Sequence, residues 1–190
     1  MEMGHDSTYV RVSPQARLAR PDARRGFRFG GGMMTIQIRA ATEADREFMV
    51  GVVPRLRAFG PPPLRPDDAL DRGERETLER ALENPADDAV LLIAEMEGIG
   101  PAGVAYALTA TDYFTREPHG HLSILAVAEA GEGRGAGRAL MAAVEAWSAA
   151  RGHRFITLNV FAGNSRARAV YERAGYGEDV LRYVKVLRDG

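Results

Sequence analysis

V-A-E-A-G-E-G-R-G-A-G-R-A-L, residues 127–140, sets glycines at 131, 133, 135 and 137 between an apolar run and a stretch with helical periodicity. The run before it, residues 120–128 (GHLSILAVA), is almost continuously apolar, as a central strand buried on both faces should be. The stretch after it, residues 135–151, puts Leu140, Val144, Trp147 and Ser148 on one face of a helix. A helix N-terminus offers N–H donors without intrahelical acceptors and the positive end of the peptide dipole. Residues without Cβ let a phosphate come close to that backbone. Arg134 and Arg138 flank the turn and can add charge to the same anion. The segment is read as a pyrophosphate cradle; the plainer reading is a turn that only lets strand and helix pack closely.

Two nucleotide-binding motifs are tested against this stretch and fail. Gly131-x-Gly133-x-x-Ala136 formally satisfies the dinucleotide fingerprint. That fingerprint needs an acid at the end of the next strand to meet a ribose, but residues 155–161 (FITLNVF) run on into Ala162, Gly163 and Asn164. A P-loop needs a lysine closing the glycine turn, and the only lysine is Lys185.

Outward from the turn, strand and helix patterns alternate. Residues 35–39 (TIQIR) alternate with period two and lead to Thr42, which with Asp45 makes a capping-type start for a helix reaching about Arg57. Gly60-Pro61-Pro62-Pro63 breaks it, and the acidic residues 66–76 begin a second helix whose stripe is Leu78, Ala81 and Leu82. Residues 90–95 (VLLIAE) and 103–109 (GVAYALT) are strands joined through a turn at 98–101. Beyond the glycine turn come a strand at 155–161 and a helix at 165–174 that buries Ala167, Val170, Tyr171 and Ala174 and stops at Gly175. A last strand is expected at 181–187 (LRYVKVL). The order is β-α-α-β-β-β-α-β-α-β, a mixed α/β sheet with an antiparallel front and a parallel βαβ core.

Residues 1–33 stand apart. Six arginines against three acids give them a local charge of +3, which leaves −4 for the other 157 residues. They end in Gly30-Gly31-Gly32, lack apolar periodicity and are expected to be a disordered basic tail preceding a domain at 34–190. No apolar core follows the basic residues, so they do not read as a secretory signal, and Met34 is an expected natural start.

The spacing of Val127, Gly135, Gly137 and Leu140, then residues 155–161, then Asn164, Ala167 and Tyr171-Glu172-Arg173-Ala174-Gly175-Tyr176, resembles the GNAT superfamily of acyl-CoA-dependent N-acyltransferases. The resemblance covers about residues 35–187. It implies the fold order given above and acetyl-CoA as co-substrate. It implies that backbone groups of Leu125, Ala126 and Val127 pair with the pantetheine arm and hold the thioester carbonyl. It places the pyrophosphate motif on residues 132–137, so that Arg134, Gly135, Ala136, Gly137 and Arg138 bind the phosphates. Glu132 departs from the pattern, carrying an acid where glutamine or arginine is usual, and is expected to turn to solvent. Asn164 matches the asparagine that contacts the cofactor chain. Tyr171 matches the tyrosine that protonates the leaving thiolate; spacing alone reads it as a core aromatic.

Composition narrows the chemistry further. Of 190 residues 45% are apolar and 27% charged, and the net charge is −1, so no bulk electrostatic hold on nucleic acid is expected. No apolar run reaches the ~20 residues of a membrane span. The cysteine count is zero, which excludes a catalytic thiol and points to direct transfer in a ternary complex. Asp112, Glu117, His119 and His121 are candidate general bases ahead of the central strand, and His121 is chosen because it is expected to share a strand face with Ser123, Leu125 and Val127. His119-x-His121 lacks further ligands, and no metal is expected. The acids at 67–76 read as a solvated helix face, with a cationic acceptor as the sharper alternative. The expected protein is a cytoplasmic N-acetyltransferase of a small-molecule or peptide amine, with no nucleic-acid or membrane partner. A homodimer is left open, and the alternative is an acyl-CoA-binding regulatory module with weak catalysis.

Overall fold

The computed structural model describes residues 35–60 and 64–187. The expected basic tail over residues 1–33 lies outside the described residues. Contacts divide the chain into two units, one running to Asn159 and the other starting at Val160, and each is described by itself.

The first unit is built on a five-stranded sheet in the order β1-β2-β3-β4-β5. Its strands are β1 (Ile36–Ala40), β2 (Ala89–Met96), β3 (Gly100–Thr111), β4 (Pro118–Val127) and β5 (Ile156–Leu158). The first four are antiparallel neighbours, and β5 runs parallel to β4. Between β1 and β2 lie α1 (Arg46–Val52) and α2 (Asp67–Glu83), and between β4 and β5 lies α3 (Ala136–Ala150).

The first helix begins as its sequence directs. Asp45 accepts from the Thr42 N–H at 2.8 Å and the Thr42 hydroxyl at 3.0 Å, while Arg39 grips it with two bonds of 2.7 Å. The α-helix stops short of Arg57 because Pro54 has no N–H to continue the ladder. Residues Val53–Arg57 continue as a 3-10 segment instead.

Each sheet face has its own packing. On one, Met49, Val52, Val53 and Leu78 cover Ile93, Val104, Ile124 and Ala126 in a continuous buried cluster. Each large aliphatic side chain removed from water there contributes about 1.5–3 kcal/mol. On the other, α3 lies over a trough of small residues, with Ala94, Ala105 and Ala107 fully buried and Gly103 beneath Leu140. A Cβ on Gly103 would stand 3.0 Å from Leu140 Cδ1. Gly120 is tighter still, because its Cβ would stand 2.3 Å from Ser148 Oγ and 2.9 Å from Ser148 Cβ. Gly120→Ala is therefore expected to destabilise the protein by about 1–3 kcal/mol. Urea denaturation checks this, and Ser148→Gly in the same chain should recover part of the loss.

The strand at 155–161 shrinks to three residues. Its ladder with β4 pairs Gly120, His121 and Leu122 with Ile156, Thr157 and Leu158, and stops there. The next residue of β4, Ser123, is a bulge: Tyr106 pairs with Ile124 and Ala107 with Leu122, leaving Ser123 without a partner on β3. A bulge bends its strand and puts the ladder out of step, which is why strand propensity at 159–161 finds no register to join.

In the second unit α4 (Ser165–Arg173) forms where its pattern places it, but Ala167, Val170 and Tyr171 are only half-buried and Ala174 is exposed; Gly175 follows in the left-handed region at φ 93°. The last expected strand is not there. Residues 177–187 have no regular secondary structure, and Val180, Leu181, Tyr183, Val184, Val186 and Leu187 are exposed. β-Propensity measures fit to a paired, half-buried surface, and alternation of LRYVKVL without a ladder does not make a strand.

Candidate active site

The glycines of the opening stretch divide into two pairs with different reasons. Gly131 and Gly137 are packing residues. A Cβ on Gly131 would stand 2.7 Å from the Ala102 carbonyl oxygen, and one on Gly137 3.3 Å from Val127 Cγ2. Gly133 and Gly135 instead take φ values of 68° and 92°, which a side chain rarely adopts. The plainer reading of the turn thus accounts for half of the glycines. The other half shape the backbone that enters α3.

Within that backbone, the Ala139 N–H makes a helical bond to the Gly135 carbonyl at 2.9 Å. Ala136 and Gly137 precede it at the first turn of the helix, where N–H groups have no acceptor inside the helix and can hold an anion. Arg134 differs, since its N–H is already given to the Gly131 carbonyl at 3.3 Å. The Glu132 side chain does not turn to solvent. It is ion-paired with Arg55 of the 3-10 segment, both side chains being about one-third exposed (28% and 34%). The local sequence gives no hint of a partner 77 positions away.

Upstream, β4 is hydrogen-bonded to β3 along both sides of its bulge, but to β5 only through Leu122. From Ser123 to Val127 no β5 residue pairs with its other edge. This stretch, about 16 Å long at strand rise, leads directly to the N-terminus of α3. Leu125, Ala126 and Val127 lie on it.

The bulge also changes which residues share a face. Paired residues point the same way, so Leu122 goes with Ala107, under α3, and Ile124 with Tyr106, in the α1/α2 cluster. His119 and His121, paired with Ala110 and Leu108, therefore share the face of Ile124 and Ala126 rather than that of Leu125 and Val127. An uninterrupted period of two had put His121 with the latter pair.

The two histidines meet on one hydroxyl. Thr157 Oγ1 lies 2.8 Å from His121 Nδ1 and 3.2 Å from His119 Nε2, and the His119 ring stacks on Phe155 at 4.7 Å. A hydroxyl has one proton, so at least one ring must donate to it if both bonds form. When His121 donates from Nδ1, its Nε2 keeps a lone pair. Burial holds both imidazoles below their ordinary pKa, and the positive charge that each would carry disfavours the other at His121. The charge of Asp112 opposes this at His119.

The remaining base candidates have other occupations. Asp112 accepts from the N–H groups of Phe114 at 3.0 Å and Thr115 at 2.7 Å and from the Thr115 hydroxyl at 3.0 Å. Those bonds hold its carboxyl below the usual range, which makes it a weak base. Glu117 is ion-paired with Arg154 at 3.2 Å. Among the described residues no three His, Cys, Asp or Glu side chains gather as a metal site. Along α2, Asp68 pairs with Arg72 at 3.2 Å and Asp71 with Arg57 at 2.7 Å. No helix among the described residues is long and apolar enough to cross a membrane.

In the second unit, Asn164 caps α4, its side-chain oxygen accepting from the Ala167 N–H at 3.1 Å. Its amide nitrogen remains for a ligand. Tyr171 sits on α4 with its ring edge-on to Tyr176, centroids 6.0 Å apart. Burial raises its phenol above the ordinary value of 10.0, so it is a proton donor throughout the neutral range.

Residues 56–176 match the acetyltransferase (GNAT) family, a span that includes parts of both units. No protein of curated function matches the sequence. Among solved structures, AAC(6')-Iy in complex with a CoA-S-monomethyl-acetylneamine bisubstrate analogue is 26% identical with a TM-score of 0.57, covering 80% of this chain and 98% of its own. The aminoglycoside N-acetyltransferase AAC(6')-Iy in complex with CoA gives 25% and 0.59, over 83% and 99%. A GCN5-related N-acetyltransferase from Ralstonia eutropha JMP134 shares the fold at 20% identity and a TM-score of 0.61, over 80% and 98%.

Proposed function

Because the chain belongs to the GNAT acetyltransferase family, we propose that it transfers an acetyl group from acetyl-CoA to a primary amine of a small molecule or peptide. The observation that carries this is the β4 edge at Ser123–Val127 that β5 leaves unpaired, with the N–H groups of Ala136 and Gly137 at the start of α3 beside it, where a Cβ on Gly137 would stand 3.3 Å from Val127 Cγ2. An extended amide-bearing arm can add along the edge as another strand would, and a diphosphate can sit at its end. Leu125, Ala126 and Val127 line the arm, and an N–H there stabilises the thioester oxygen as charge develops. Arg134 and Arg138 supply charge, Gly135, Ala136 and Gly137 close approach, and the Asn164 amide nitrogen a further contact. The complexes of AAC(6')-Iy with CoA and with a bisubstrate analogue support the same co-substrate.

The reaction needs no covalent enzyme intermediate, and the chain has no cysteine to form one. The amine nitrogen attacks the thioester carbon, its proton passes to His121 Nε2, the carbon–sulfur bond breaks, and the thiolate takes a proton from Tyr171. His121 is the base that geometry favours, since Asp112 and Glu117 are engaged elsewhere. On this reading residues 34–190 make one transferase domain, acting in the cytoplasm.

Acetyl-CoA should stabilise the folded chain. At about 100 times its dissociation constant a ligand adds about 2.7 kcal/mol, roughly 5–10 °C in Tm for a protein of this size. A melting curve unmoved by both acetyl-CoA and CoA would overturn the proposal.

A further inference from the structure

We propose that Arg55 is a positioning residue for the cofactor turn, neutralising Glu132 so that an acid at the mouth of the cradle does not repel the diphosphate. The inference rests on the reading of this turn as the pyrophosphate site. Glu132 stands immediately before Gly133 and three residues before the left-handed Gly135 that opens α3. A carboxylate and a diphosphate a few ångströms apart at a partly screened surface repel enough to lower affinity tenfold or more. The sequence keeps the acid and brings its counter-charge from elsewhere.

The counter-charge is held from both sides. Arg55 and Arg57 lie two apart on the 3-10 segment Val53–Arg57, and at three residues per turn they project in different directions. Arg57 reaches Asp71 of α2 at 2.7 Å, with Asp71 only 14% exposed, while Arg55 reaches Glu132. Val53, in the same segment, is fully buried in the core cluster. The segment is thus fastened to the core and to α2, and its Arg55 fixes the acid of the turn. Arg55 Nε is buried and has no acceptor among the described residues, so the recorded ionic partner of this guanidinium is Glu132. In this arrangement Arg55 acts on the cofactor through Glu132, by charge.

Isothermal titration of CoA into the wild-type chain and three variants tests this. Arg55→Ala should weaken binding ten- to a hundredfold, because Glu132 then loses the counter-charge of its Arg55 ion pair. Glu132→Gln should bind within threefold of wild type. The double variant Arg55→Ala/Glu132→Gln should return to within threefold as well, a rescue that loss of a packing contact would not show. If Arg55→Ala binds like wild type, or if the double variant stays as weak as Arg55→Ala, the proposal is overturned while the cofactor site stands. If wild type itself binds no CoA, the reading of the turn falls and this role with it. Should Arg55→Ala fail to fold, Arg55→Gln with and without Glu132→Gln makes the same comparison.

Discussion

Replacing Tyr171 by phenylalanine is expected to lower kcat about 10²- to 10³-fold, with the KM for acetyl-CoA changed by less than about threefold. The substitution removes one oxygen and keeps the ring, so the edge-on packing against Tyr176 survives. What is lost is the proton that, in the proposed reaction, passes to the departing thiolate. Burial raises the phenol above 10.0, away from a thiol pKa near 8.5, so Tyr171 gives up its proton only as charge builds on sulfur. The same shift means that no alkaline limb from Tyr171 should appear in the rate profile below pH 10. Steady-state kinetics at varied acetyl-CoA checks both points, and unchanged turnover would remove Tyr171 from the reaction.

His121→Gln should cost about 10²- to 10³-fold in kcat/KM, since glutamine keeps a polar group near Thr157 but accepts no proton. The pH dependence has a definite sign. His121 must be neutral to act as base, and burial puts its pKa below the ordinary 6.5. The acid limb that belongs to His121 should therefore lie below pH 6.5, apart from any limb of the acceptor amine, and be absent from His121→Gln. Thr157→Val should lower kcat/KM less than His121→Gln, because it releases the ring without removing it. Stability follows the same linkage. A histidine with a folded pKa below its unfolded one binds more protons when unfolded, so its contribution is complete above pH 6.5 and is lost as pH falls through the folded value. An acid limb that persists unchanged in His121→Gln, or a fully active His121→Gln, would exclude His121 as the base.

Much of this fold was legible because its signals are local. TIQIR, VLLIAE and GVAYALT alternate or run apolar over one ladder's length, and each became a strand. Thr42 and Asp45 form the cap that their spacing announces, and Pro54 alone explains why α1 ends early. The glycine turn was visible as a whole but not in its parts, since only coordinates tell that Gly131 is squeezed against Ala102 while Gly133 and Gly135 take left-handed backbone.

What sequence could not supply depended on pairing across distance. The bulge at Ser123 follows from the register of β3 against β4, and it moves His121 to the other face without changing any residue type. The hydroxyl between the two histidines comes from a strand 36 positions on. LRYVKVL has the pattern of a strand and no partner among the described residues, while Glu132 looked solvated because nothing nearby in sequence shows Arg55.

The central claim is that this site moves an acetyl group from CoA to an amine. Its most direct test is release of free CoA thiol from acetyl-CoA, measured against aminoglycosides, polyamines, amino acids and peptide N-termini. Amine-dependent thiol release is expected with at least one class, stoichiometric with acetylated product and lost in Tyr171→Phe. Tight acetyl-CoA binding with no thiol released by any amine class would contradict it.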